Sequence, residues 1–191
     1  MLTINPKTHK LNDIRFISSP NFNERPQNEQ IDLIVIHSIS LPPAQFGNNF
    51  IEQFFTNQLD LNQHPYFMEN LKDLKVSAHV VIDRDGKITQ YVPFDKRAWH
   101  AGQSSFNGRL NCNDFSIGIE LEGFDTVPYT EEQYAALAQL INALMRAYPH
   151  MTPERIVGHS DIAPGRKTDP GPFFDWQYFR EITFTAEGMS E

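Results

Sequence analysis

Residues 31–37, IDLIVIH, place Leu33, Ile34, Val35 and Ile36 side by side with no polar residue between them. Successive side chains of a strand point to opposite faces, so a strand without a polar side is covered on both. Sheets covered on both faces belong to architectures in which helices flank the strands. The run ends on His37. A polar, metal-competent group at the end of a buried strand is where α/β proteins commonly build sites, although a hydrogen-bonded histidine would suit that position equally if it stood alone.

The rest of the chain fits this frame. Phe50, Ile51, Phe54 and Phe55 recur at helical spacing after Asn48 or Asn49 as N-cap, which predicts a helix lying on the sheet. Residues 77–83 and 87–92 read as two strands joined through Asp85-Gly86, a two-residue hairpin signal. In FSIGIEL, Phe115, Ile117, Ile119 and Leu121 alternate with Ser116, Gly118 and Glu120. This strand buries its apolar series and turns Glu120 to the other face, where Gly118 leaves space beside the carboxylate. Thr130 with Gln133 forms a capping-box signature, and Tyr134, Leu137, Ala138, Ile141, Leu144, Met145 and Tyr148 mark one helical stripe ending before Pro149. A short last helix begins near Asp175 with Trp176 and Phe179, and the final residues AEGMSE read as a frayed tail. No repeat or linker divides the chain. The expectation is a single α/β domain over residues 1–191, its core about 15–180, with a central mixed β-sheet flanked by α-helices.

The stretch VGHSDIAPGRKTDPGP, residues 157–172, crowds His159, Asp161, Lys167 and Asp169 into a loop rich in Gly and Pro. Turn chemistry accounts for the Gly and Pro but not for an imidazole, an ammonium and carboxylates together, a combination typical of sites. Catalytic zinc takes three protein ligands and leaves a fourth position open. The loop offers His159 and an Asp, so a second histidine is wanted, and His37 is the candidate. His9, His64 and His150, in polar or loop-like stretches, read as exposed.

The order of the segments IDLIVIHSIS, VSAHVVIDRDGKITQYVPFDKRAWHAG, CNDFSIGIELEG and GHSDIAPGRKTDPGP resembles the zinc amidases that cut N-acetylmuramoyl-L-alanine bonds, a family shared with phage amidases and peptidoglycan recognition proteins. The resemblance covers roughly residues 15 to 180. It implies one Zn2+ per chain held by His37, His159 and Asp169, with Glu120 and Lys167 as the catalytic pair. It also implies that the substrate is a small soluble muropeptide, a 1,6-anhydro fragment met in cytoplasmic peptidoglycan recycling. In that chemistry Zn2+ polarises a carbonyl and activates water, Glu120 moves the proton and Lys167 stabilises the oxyanion. Glu122, on the same strand face, is the competing carboxylate. Substrate contacts fall on Lys75, His79, Trp99, His100, Arg109, Asn111 and Ala163. Lys75 and Asn111 stand where members of the family can carry Arg, and Ser38 where some carry Asn. Trp99 would stack on a sugar ring, with core packing as the alternative, as it is for His79.

Composition narrows the classes. A net charge of −8 argues against nucleic-acid or anionic-membrane partners, which need a basic face. Cys112 is the single cysteine, so no internal disulfide forms and a reducing compartment is natural. The opening residues lack a signal-peptide core and nowhere do 18 apolar residues run together, so the expectation is a cytoplasmic monomer. Two other classes remain open at this level: a non-catalytic module that binds peptidoglycan fragments, and a cysteine hydrolase that pairs Cys112 with a histidine. The HExxH pattern of another metalloprotease class is absent from the sequence.

Overall fold

The computed structural model describes residues 1–185; the expected frayed tail, residues 186–191, lies outside them. In chain order the strands are β1 (Arg15–Phe16), β2 (Phe22–Asn23), β3 (Leu33–Ile39), β4 (Val80–Ile82), β5 (Ile88–Gln90), β6 (Arg97–Ala98), β7 (Ser105–Phe106), β8 (Arg109–Leu110), β9 (Ser116–Glu122) and β10 (Ile156–Gly158). The helices are α1 (Phe50–Phe55), α2 (Pro65–Asn70), α3 (Glu131–Ala147), α4 (His159–Ile162) and α5 (Trp176–Phe184). One six-stranded mixed sheet, ordered β1-β5-β4-β9-β3-β10, organises the domain. Within it only β4 and β5 pair antiparallel.

Both faces are covered, as the sequence of β3 requires. On one face Ile34, Ile36, Ile117, Ile119 and Leu121 pack with Leu137, Leu140, Ile141 and Leu144 of α3 and Phe179 of α5. On the other, Val81 packs with Ile51, Phe54 and Phe55 of α1 and Phe67 of α2, and Leu33 and Val35 pack with Cys112, Phe115 and Ile162. Each fully buried aliphatic or aromatic side chain contributes about 1.5–3 kcal/mol relative to exposure, so the central strands carry most of the apolar stabilisation. Helix α3 starts as its capping box predicts, with Thr130 accepting from the Gln133 N–H and the Gln133 side chain accepting from the Thr130 N–H. Helix α5 is capped by the Asp175 side chain, which accepts from the Tyr178 N–H at 2.9 Å.

Several expectations need correction. The connection between β4 and β5 is longer than a two-residue turn: Asp83 N–H donates to Lys87 O at 3.1 Å, enclosing Arg84, Asp85 and Gly86, with Gly86 at φ 76. A positive φ at the last loop position is the three-residue hairpin pattern. Gly118 does not leave an opening, because a Cβ there would lie 2.4 Å from Cγ of His100, whose ring fills the slot. His9 and His64 are half-buried rather than exposed. His9 Nδ1 lies 2.8 Å from the Tyr148 hydroxyl, and His64 Nδ1 accepts the Tyr66 N–H at the start of α2. His150 is exposed as expected.

Candidate active site

Parallel pairing sets His37 of β3 directly opposite Glu120 of β9, and Glu120 opposite Val81 of β4. Opposed residues in a sheet share a face, so the imidazole and the carboxylate stand side by side. On the other flank β10 pairs Gly158 with Ile36, so His159 emerges from its strand next to His37 and opens α4. These positions lie toward the carboxyl ends of three parallel strands, the usual place for sites in such sheets. The loop after α4 then returns: Ser160 N–H donates to Asp169 O at 3.0 Å, and the Tyr129 hydroxyl donates to Pro170 O at 2.7 Å. Asp169 is thereby brought to the two histidines. Asp161 is not, since its carboxylate caps α4 by accepting the Gly158 N–H at 2.7 Å.

His37 Nδ1, His159 Nδ1 and Asp169 Oδ2 form a triangle with sides of 3.0, 3.0 and 3.1 Å. Among the described residues they form a cluster able to hold a metal ion. Ligands at Zn–N and Zn–O bonds of about 2.0–2.1 Å in a tetrahedral site stand roughly 3.3 Å apart, so the triangle closes on such an ion with little movement. Tautomer assignments agree. His159 Nε2 lies 3.1 Å from the Ala101 carbonyl, which can only accept, so the proton sits on Nε2 and Nδ1 presents a lone pair. His37 Nε2 faces His100 Nδ1 at 2.9 Å. Burial lowers the His37 pKa to about 4 even against its bond to Asp169, which keeps the ring neutral at ordinary pH. Burial opposes ionisation of Asp169, but its contacts with His159 and His37 outweigh it and hold the carboxyl far below its usual range. Two neutral imidazoles and one carboxylate suit a divalent cation with an open fourth position.

Beside this triangle, Glu120 is 9% exposed, and among the described residues its Oε2 has no hydrogen-bond partner. Buried polar atoms are nearly always paired, so an orphaned carboxylate oxygen here points to a ligand or water. Burial raises its pKa well above the usual value, the Asp169 charge adds to this, and Lys167 opposes it. The competing Glu122 is fully engaged: Oε1 accepts the Gly47 N–H at 2.7 Å and Oε2 the Arg84 N–H at 3.2 Å. Both the triangle and Glu120 line a cavity of about 520 Å³ together with the exposed Lys167 and half-buried Trp99. Its far wall is apolar, with Phe54, Phe55, Tyr66 and Leu71.

The remaining sequence candidates divide. Trp99 and His100 line the cavity, and Trp99 is held by its Nε1–H donating to Asn23 Oδ1 at 2.7 Å. Lys75 is exposed beside the cavity-lining Leu74 and Val76 but is not itself in the lining. His79 is buried in the sheet: Nδ1 accepts the Gly118 N–H at 3.0 Å and Nε2 faces Lys96 O at 3.0 Å, so neither nitrogen is free for a ligand. Arg109 is turned to Glu29 and Asp32 and stacks 3.7 Å over Phe115; Asn111 is exposed in a left-handed turn. Neither they nor Ala163, whose carbonyl accepts from Arg166 N–H and Lys167 N–H, line the cavity. Cys112 is buried, burial pushes its thiol pKa up, and no histidine contacts it among the described residues, which leaves the thiol mechanism without a nucleophile. Sequence reasoning missed Arg166, whose guanidinium donates to Ala101 O at 2.7 Å beside the cavity; its place next to Lys167 was the available signal.

A mixed sheet with two imidazoles and a carboxylate gathered beside its strand ends defines a site able to hold a metal ion, and similarity to known proteins specifies the class. Residues 27–172 match the N-acetylmuramoyl-L-alanine amidase family, so the chain belongs to that family and is an amidase. Within it the chain is similar to the 1,6-anhydro-N-acetylmuramyl-L-alanine amidase AmpD of Haemophilus influenzae, at 54% identity over 88% of this chain and 91% of the relative. The AmpD of Citrobacter freundii is 55% identical over 90% of this chain and 91% of its own. A crystal structure of AmpD superposes with a TM-score of 0.89 at 53% identity, covering 94% of this chain and 98% of the other. The Escherichia coli amidase AmiD, solved with the substrate anhydro-N-acetylmuramic acid-L-Ala-D-gamma-Glu-L-Lys, matches with a TM-score of 0.59 at 30% identity, covering 84% of this chain and 65% of AmiD.

Proposed function

We propose that the protein is a Zn2+-dependent amidase that hydrolyses the bond between 1,6-anhydro-N-acetylmuramic acid and L-alanine in soluble muropeptides, acting as a cytoplasmic monomer in peptidoglycan recycling. The observation that carries this is the triangle of His37, His159 and Asp169 beside the unpaired Glu120 oxygen in a cavity of about 520 Å³. His37, His159 and Asp169 would hold the ion, which would supply carbonyl polarisation and acidified water when bound. Glu120 does the proton work: its carboxylate, whose affinity for a proton burial raises, takes a proton from the attacking water at Oε2 and, now a neutral carboxyl, returns it to the leaving L-alanine nitrogen. Lys167, its ammonium at the cavity wall, stabilises the oxyanion of the tetrahedral intermediate. Trp99 offers an aromatic face to the sugar ring and the apolar wall excludes water from the far side. Cytoplasmic action is supported by the free Cys112 and by the similarity to AmpD, and among the described residues no helix is long and apolar enough to cross a membrane.

Purified protein given an anhydromuropeptide should release anhydro-N-acetylmuramic acid and a free peptide beginning at L-Ala, read by mass spectrometry, and should cut intact sacculi slowly in parallel. Equal cutting of sacculi would overturn the recycling assignment. Binding of the fragment without any product would identify a binding module instead.

A further inference from the structure

The atoms that face the metal position are oriented from behind by one dipeptide. His100 presents Nδ1 to His37 Nε2 at 2.9 Å and Nε2 to the Ser116 hydroxyl at 3.2 Å, while the carbonyl of the next residue, Ala101, takes the Nε2–H of His159 at 3.1 Å. The dipeptide is itself fixed, because Asn113 Oδ1 accepts both the His100 N–H at 3.0 Å and the Ala101 N–H at 2.8 Å. The His100 ring fills the slot left by Gly118, with ring atoms 2.4–2.6 Å from where a Cβ would be. It stands nearly perpendicular to His37, at 83° with centroids 5.0 Å apart.

The direction of the protons follows from the chain of partners. For His37 Nδ1 to offer a lone pair to a metal, its proton must sit on Nε2 and be donated to His100 Nδ1. The His100 proton then sits on its own Nε2 and goes to Ser116 Oγ, which can accept it. Both nitrogens of His100 are thereby used inside the protein, and neither is left for substrate. We propose that His100 is a positioning residue for the metal ligand His37, locking its ring orientation and tautomer, with Ser116 as the far anchor; this rests on the zinc reading above. Partners of this kind typically alter metal affinity by about 10- to 100-fold when removed.

The test uses zinc affinity of metal-stripped, refilled protein, measured by chelator competition beside the unfolding midpoint. His100→Phe keeps an aromatic ring and its volume but cannot accept a hydrogen bond, and should bind zinc about 10- to 100-fold more weakly. His100→Gln supplies an amide oxygen for His37 and an amide N–H for Ser116, and should recover most of that loss; Ser116→Ala should lose less than His100→Phe. A role in packing alone would give the opposite order, with Phe tolerated and Gln harmful. The proposal is overturned if His100→Phe binds zinc within about twofold of the wild type, if Gln is no better than Phe, or if zinc affinity holds while KM for the anhydromuropeptide rises, which would make His100 a substrate contact. Should His100→Phe not fold, His100→Leu against His100→Gln decides by the same criterion. Failure of the wild-type protein to take up zinc would show before any variant is made and would remove the metal reading together with this one.

Discussion

Glu120 and Glu122 share one strand face two positions apart, and they differ in what is left for chemistry. Both oxygens of Glu122 are bound by backbone N–H groups of Gly47 and Arg84, whereas Oε2 of Glu120 has no partner among the described residues. Glu120→Gln should therefore retain its fold and its zinc while kcat falls by about 10²- to 10⁴-fold; near-normal turnover in single-turnover assays would refute the proton role. Glu122→Gln should instead lower the melting temperature, because an amide cannot accept from both loops. For the loop carboxylates, Asp169→Ala should abolish zinc binding by metal analysis, while Asp161→Ala, which removes only the bond to the Gly158 N–H, should keep it. The residue types of this site were legible in the sequence, and so, through the family resemblance, was the grouping of His37, His159 and Asp169 that the fold brings together. The partners were not legible. Gly47 and Arg84 lie 75 and 38 residues from Glu122, and His100 comes to His37 across 63 residues, so a hydrogen-bonded carboxylate and a free one look alike until the chain is folded. The same holds for Arg109, whose pairing with Asp32 and Glu29 spans 77 and 80 residues.

At the level of elements, legibility followed length. The unbroken apolar run of β3 and the periodicities of β9 and α3 are each long enough to read, and their ends fell within a residue or two of expectation. Strand β10 spans only Ile156–Gly158 and exists because β3 offers it a parallel edge; three residues hold no period. The short helix α2 is likewise set by its context, with Pro65 in the first turn and His64 Nδ1 accepting the Tyr66 N–H. Glycines in tight quarters give sharp expectations. Gly118→Ala would thrust a methyl group into the His100 ring, so it should weaken zinc binding more than it lowers the melting temperature, as read by chelator competition and calorimetry. Thr130→Ala removes one half of the α3 capping box and should cost about 1 kcal/mol in chemical denaturation, with kcat unchanged.

Across the whole molecule, burial keeps three imidazoles neutral: His37 with a pKa lowered to about 4, His79 to about 3, and His100 well below 6.5. Burial is the largest cause for each, followed for His79 and His100 by nearby cations or imidazoles. Unfolding restores each to about 6.5, so the unfolded chain binds more protons below that pH. Their contribution to stability is complete above pH 6.5 and is lost as pH falls below it toward their lowered values, partly offset by Glu120, whose raised pKa acts with the opposite sign. Denaturation midpoints of metal-free protein at pH 7, 6 and 5 test this, and His79→Gln should make the dependence shallower; a flat profile would contradict it. The three metal-facing residues also have a topological property. His37 is 122 residues from His159 and 132 from Asp169, in a chain whose single cysteine permits no internal disulfide. An ion bound there would staple the second strand of the sheet core to the far end of the chain, and at 100 times its Kd it would add about 2.7 kcal/mol to the folded state. Such a staple can be withdrawn, so in a zinc-starved cell the empty enzyme would open more often and meet proteases sooner, and its lifetime would follow the metal supply.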